Sequence, residues 1–118
     1  MRSKYRAVKT KGYASRKEYK RSILLRKMQE DGTITNLQEQ VKFTLIPTQY
    51  RDEVQHLKTK SKTIQKVAER AVQYIADFVY TDANGNQVVE DTKGVRTPDY
   101  IIKRKLMLWI HGIRVIEI

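Results

Sequence analysis

The segment from Tyr74 to Gly94 constrains the fold more than any other, because it reads as a β-hairpin bearing charge where a structural hairpin would have none. Its first arm, Tyr74-Ile75-Ala76-Asp77-Phe78-Val79-Tyr80, is rich in β-branched and aromatic residues. The second arm is Gln87-Val88-Val89-Glu90-Asp91-Thr92-Lys93, closed by Gly94. Strand side chains alternate between faces, so Val89, Asp91 and Lys93 share one side and Val88, Glu90 and Thr92 the other. The loop decides whether Asp77 joins Asp91 and Lys93. A two-residue Asn84-Gly85 turn sets Asp77 across from Thr92 and makes the aspartates diverge. A three-residue loop, Ala83-Asn84-Gly85, sets Asp77 across from Asp91; Asp82 then starts a type I turn and Gly85 takes the left-handed position of a G1 bulge. Opposed carboxylates repel, and a divalent cation that takes hard oxygen ligands offsets the repulsion.

Length and charge bound what such a hairpin can belong to. The chain has 118 residues, which suits a single domain over 1–118 with a modest core. Its 24 Lys and Arg against 13 Asp and Glu give a formal charge of +11, which favours a polyanionic partner. The absence of cysteine excludes a disulfide frame and a thiolate zinc site, and suits a reducing cytoplasm. The longest apolar run, from Leu106 to Ile110, is far short of the ~20 residues that span a bilayer. The basic start is followed by no apolar segment, so neither a membrane span nor a signal peptide is expected. There is no Gly-rich phosphate loop, nucleophile elbow or zinc signature.

In chain order, residues 1–27 hold eleven basic residues and one acid, Glu18. Residues 1–12 show no apolar period and read as a flexible basic arm, either a solvated tail or a phosphate-binding one with Arg2, Lys4, Arg6, Lys9 and Lys11. Ser15-Arg16-Lys17-Glu18 fits a capping box and predicts a helix from Ser15, with Tyr19, Ile23, Leu24 and Met28 toward the core. Gly32 stops that helix. A strand is expected from Ile34 to Ile46, with a polar early part that bulges around Asn36 to Gln40; Gln40 could face the active site, but a polar strand residue is more often solvated, and it is left out of the expected site. Pro47 closes the strand. Residues 49–68, of mixed charge with sparse apolar positions, read as a partly helical excursion whose lysines form a solvated face or touch nucleic acid. Thr97-Pro98-Asp99 starts a second helix with Ile102, Leu106 and Trp109 on its core stripe. Gly112 ends it, and a last strand runs from Ile113 to Ile118. His56 and His111 have no ligand spacing. The expected architecture is α/β, a four-stranded mixed sheet flanked by helices.

Asp77, followed by Asp91-Thr92-Lys93 on the second hairpin arm, resembles the D…(D/E)-x-K signature of the PD-(D/E)XK nuclease superfamily. The layout from about Ser15 to Ile118 is similar to its small phage and archaeal members, which include Holliday junction resolvases. The chain departs from the commoner pattern with Asp at 91 in place of Glu, and Ala76 where a proline often precedes the first acid. The resemblance implies a restriction-endonuclease-like core and a magnesium-dependent DNA endonuclease in which manganese substitutes. It also implies action on branched or structured DNA in phage or bacterial recombination, replication or repair, in the cytoplasm (the host's, if phage-encoded). By it, Asp77, Asp91 and the Thr92 backbone carbonyl bind the cation, Glu18 completes the shell directly or through water, and Lys93 stands beside the attacking water. Arg16, Lys17 and Lys103 join the arm as DNA contacts. A homodimer is expected, since two symmetric cuts need two sites; Tyr100, Ile101, Met107, Leu108 and Ile110 widen the last helix enough to offer the surface. The competing reading is a non-catalytic nucleic-acid-binding accessory protein, which charge alone supports equally.

Overall fold

The computed structural model describes residues 12–118. The basic arm, with Arg2, Lys4, Arg6, Lys9 and Lys11, lies outside the described residues. The element order is α1 (Arg16–Glu30), β1 (Thr35–Ile46), β2 (Gln49–His56), β3 (Ser61–Glu69), β4 (Val72–Thr81), β5 (Gln87–Asp91), α2 (Pro98–His111) and β6 (Ile116–Glu117). Four strands form one mixed sheet in the order β1-β4-β5-β6, in which only β5 and β6 are parallel. No helix among the described residues is long and apolar enough to cross a membrane.

Local chemistry sets the hairpin that centres this sheet. The Asp82 carbonyl accepts from Gly85 N–H at 3.0 Å, Asp82 N–H donates to Asn86 O at 2.9 Å, and Gly85 sits at φ +82°. This is the three-residue type I turn with a G1 bulge, and Asp82 Oδ1 braces it by accepting from the amides of Asn84 and Asn86. Phe78 then faces Glu90, where the paired register ends, and just beyond it the Asp77 and Asp91 carboxyls come close enough to interact.

The helices lie on opposite faces of the sheet. Leu25 of α1 packs with Ile34, Phe78 and Tyr80. Tyr100 and Met107 of α2 pack with Leu45, Tyr74, Ala76, Val79, Val89 and Val115. On β1, Leu37 belongs to the α1 side while Val41 and Phe43 belong to the α2 side, although all three positions are odd. On β4, Tyr74 and Ala76 belong to the α2 side and Phe78 and Tyr80 to the α1 side. Both strands therefore exchange faces at the Gln40–Asp77 level, where Gln40 adopts φ +54°. The expected bulge in the polar part of β1 lies between Thr35 and Gln38, where the register with β4 shifts and Asn36 sits at φ +56°, whereas the register runs on unbroken past Gln40.

Four expectations are corrected. In α1 the buried residues are Glu18, Ser22 and Leu25, while Ile23 and Leu24 are exposed. The helix turns a polar stripe inward because Arg21 donates to the buried Glu90 from that side. Residues 49–68 contain no helix: β2 and β3 pair as an antiparallel two-stranded ribbon. In α2, Tyr100 and Met107 are the buried positions, whereas Ile102 and Trp109 point to solvent, Trp109 being 86% exposed. The last strand is only Ile116–Glu117. The helix caps hold: Ser15 Oγ accepts from Glu18 N–H, Pro98 occupies the first turn of α2 after the Thr97 cap, and Gly112 ends α2 at φ +67°.

Candidate active site

Where the two strands exchange faces, three carboxylates from three elements converge. Asp77 comes from the middle of β4 and Asp91 from the end of β5. Glu18 arrives from the first turn of α1, where the capping geometry fixes it. Its amide is held by Ser15 Oγ at 3.1 Å and its Oε2 accepts from Ala14 N–H at 3.0 Å, one residue earlier than a capping box would give. That leaves Oε1 toward the sheet. There Gln40 Nε2 donates to Glu18 Oε1 at 2.9 Å and also reaches Asp77 Oδ1 at 3.3 Å.

Each acid has its own support. Asp77 Oδ2 accepts from both the backbone amide of Thr92 at 2.9 Å and its hydroxyl at 2.8 Å. Asp91 Oδ2 accepts from the buried Tyr74 hydroxyl, and Lys93 Nζ lies 3.3 Å from Asp91 Oδ1. Lys93 also stands over the Tyr100 ring, 4.3 Å from its centroid, a cation–π contact that fixes the ammonium at the site's edge. The expected alternation of Asp91 and Lys93 thus brings acid and base together.

Burial and crowding separate the acids electrostatically. Glu18 is 4% exposed; burial, then the neighbouring Asp77 carboxyl, raises its pKa to about 7. Asp91, 2% exposed, is raised to about 6 by burial and by Asp77, against the lowering effect of the Tyr74 hydrogen bond. Burial also pushes Asp77 upward, but hydrogen bonds from Glu18 and from the Thr92 amide and hydroxyl outweigh it and hold Asp77 below the usual range. One charged aspartate flanked by two reluctant acids is the pattern of a site poised for a cation or a proton. Among the described residues no group of three or more His, Cys, Asp or Glu is arranged to hold a metal ion: the oxygens that face inward are engaged by Gln40, Thr92, Tyr74 and Lys93.

A cleft of about 490 Å³ lined by Tyr13, Ala14, Glu18, Glu39 and Gln40 opens on one side of the acids. A smaller one of about 230 Å³ is lined by Tyr74, Lys93, Thr97, Tyr100 and Lys103. Lys103 therefore shares a cleft with Lys93. Lys17 is close as well, its Nζ 3.5 Å from the Lys93 carbonyl, whereas Arg16 is simply exposed on the first turn of α1. His56 bonds Ser61 Oγ within the ribbon, and His111 ties the end of α2 to the Thr44 carbonyl; both are structural.

Two site residues lie outside the expected set, Gln40 because the solvated alternative is the commoner one for a polar strand residue. Gln40 is bonded to both Glu18 and Asp77, not solvated. A non-glycine residue in the left-handed region costs on the order of 1 kcal/mol, and such strain inside a strand marks the site; its only trace in the sequence is the polar run before it. Tyr74 reads only as one aromatic residue of the first hairpin arm, and its hydroxyl's role appears only when Asp91 is placed beside it.

No curated protein and no solved structure matches the chain. Over residues 2–111 it matches a family profile that spans the basic arm, the three acids and α2, and on that match the chain belongs to the family described as "Protein of unknown function (DUF1064)".

Proposed function

We propose that the chain is a magnesium-dependent DNA endonuclease with a restriction-endonuclease-like core, acting on branched or structured DNA in recombination, replication or repair. The observation that supports it most is the convergence of Glu18, Asp77 and Asp91 beside Lys93 in a chain of formal charge +11. A protein that only binds phosphate gains nothing from burying three acids together.

The residue types fit a hard divalent cation, since every donor is an oxygen. Two of the acids sit at raised pKa, a condition that a cation relieves. The ion would compete with the Gln40 amide for Glu18 Oε1 and Asp77 Oδ1. Asp77, Asp91 and the Thr92 backbone carbonyl would hold it, with Glu18 completing the shell. Magnesium, or manganese in its place, supplies a water of lowered pKa and neutralises charge on the phosphate. Lys93 puts a positive charge at the site's open edge, where it favours hydroxide and would stabilise negative charge growing on the phosphoryl oxygens. Tyr74 holds the second oxygen of Asp91 so that the first stays toward Lys93.

The test is cleavage of four-way junction, flap, linear and single-stranded DNA side by side with magnesium. Wild type should cut a branched substrate. Asp77→Asn and Asp91→Asn should abolish cutting while DNA binding persists or tightens, because each removes negative charge near phosphate. Lys93→Ala should also be inactive with metal affinity little changed. Full activity in either Asn variant would place the chemistry elsewhere. One observation favours the second reading, a non-catalytic DNA-binding protein: both oxygens of Asp77 are already bonded within the chain. Binding without cleavage in magnesium or manganese would establish that reading instead.

A further inference from the structure

The ribbon of β2 and β3 takes no part in the carboxylate site. At Pro47-Thr48 and Arg70-Ala71 the β1–β4 pair is interrupted, and past that break the chain continues outward as two strands that pair only with each other. At ~3.3 Å per residue the eight residues of β2 make an arm of about 26 Å. Both its faces meet water: within β2 only Glu53, and within β3 only Ile64, is even half-buried. A two-stranded hairpin is at best marginally stable alone in water, so an arm this long and thin is better explained by what it grips than by what it adds to the core.

Charge is arranged along the arm with a direction. Midway along it Glu53 takes ion pairs from Arg51 at 3.2 Å and Lys66 at 3.6 Å, both nearer the base. From Val54 to Gln65 it carries Lys58, Lys60 and Lys62 and no acid. None of these three ammonium groups is in an ion pair among the described residues. The tip is closed by Leu57 N–H on the Lys60 carbonyl at 2.7 Å, which holds the lysines at the far end. A two-stranded ribbon has the width that the major groove of B-form DNA admits, and phosphates on both rims are the complement of unpaired cations.

We propose that the β2–β3 ribbon is an arm that docks in the major groove of duplex DNA away from the cleavage centre, with Lys58, Lys60 and Lys62 on the flanking phosphates. The proposal rests on the reading of the chain as a DNA-acting protein, though not on cleavage. A rival occupant is a second copy, through the apolar face formed by Tyr50, its cross-strand partner Val67, and Val54.

The test compares three full-length proteins by fluorescence anisotropy on a labelled linear duplex, in EDTA, across a salt series. They are wild type, the ribbon triple Lys58→Ala/Lys60→Ala/Lys62→Ala, and a control triple with the same charge removed from the helices, Lys20→Ala/Lys27→Ala/Lys105→Ala. All six lysines are exposed, so both variants should fold. The ribbon triple should weaken binding and make the slope of log affinity against log salt shallower by up to about 2.7, the value for three lost phosphate contacts, while the control changes it less. Equal changes in both triples, or none in the ribbon triple, overturn the proposal. So does a ribbon triple that sediments at half the mass of wild type, which would give the ribbon to self-association. Salt-dependent binding lost in the ribbon triple, from a wild type that never cuts, leaves this proposal standing and removes the nuclease reading. Cleavage with an unaltered slope does the reverse.

Discussion

Glu18 serves the helix end and the carboxylate cluster from one position, and the conflict between the two has a measurable sign. Its folded pKa of about 7 lies above the ordinary 4.5, so the folded chain holds this proton more tightly than the unfolded one. The stability from that proton is complete below about pH 4.5 and is lost as pH rises through 7; Asp91, at about 6 against 3.8, acts in the same direction. The melting temperature without metal should therefore fall from pH 5 to pH 8. Glu18→Gln, which keeps an acceptor for the Ala14 amide, should recover on the order of 1–3 kcal/mol at pH 8 and almost nothing at pH 4, read by urea unfolding. A flat profile shared by wild type and variant would mean that Glu18 is not crowded by Asp77. The same linkage predicts that magnesium raises the melting temperature more at pH 8 than at pH 5, where protons hold the places that the cation needs. No magnesium effect at pH 8 would count against a metal site.

Helix α1 is docked by charge as much as by apolar burial. Glu90 is 1% exposed and receives Arg21 in a two-pronged contact, Nε to Oε1 at 2.8 Å and Nη2 to Oε2 at 2.7 Å, with the Tyr80 hydroxyl as a third donor. Arg21→Met strands a buried carboxylate and should cost about 3–5 kcal/mol, whereas Arg21→Met with Glu90→Leu should regain most of it. If the double variant is as unstable as the single one, the pair does not act through Glu90. This contact also explains which elements could be read in advance. The β4–β5 hairpin was legible because its determinants are local: Asp82 and Gly85 set the loop, the loop sets the register, and the register brings Asp77 to Asp91. The inward face of α1 was not, because Ile23 and Leu24 form the more apolar stripe and only the distant Glu90 favours Arg21's side. The ribbon was illegible for another reason: period-2 hydrophobicity arises when one face of a strand is buried, and neither face of β2 or β3 is. For Gln40 both a site-facing and a solvated reading were open, and the sequence could not decide between them, since a left-handed residue inside a strand leaves no pattern in side-chain alternation.

At the scale of the molecule, the described chain is far from spherical. Its radius of gyration is 20.1 Å and its extents are 67 × 45 × 26 Å, where a compact chain of this length has a radius near 13 Å. Such a shape leaves apolar surface uncovered, and the largest uncovered side chain is Trp109. Of the residues expected to form a dimer face, Tyr100 and Met107 are spent on the core and Ile101 is half-buried against it, while Leu108 and Ile110 stay exposed. Docking α2 through Tyr100 and Met107 turns Ile102 and Trp109, seven residues apart, outward along one stripe. An exposed tryptophan on a helix that also exposes Ile102, Leu108 and Ile110 is the residue type that anchors interfaces, and on a two-fold axis one such patch serves both partners. A homodimer through this stripe is therefore expected, and it is what two symmetric cuts in a junction require of a chain with one carboxylate site. Sedimentation at micromolar concentration should give the dimer mass. Trp109→Ala should weaken dimerisation by about 2 kcal/mol or more, roughly thirtyfold, with the thermal stability of the monomer fold little changed because the side chain is 86% exposed among the described residues. A wild type that stays monomeric both alone and with junction DNA would remove the resolvase reading and leave an enzyme that nicks one strand at a time.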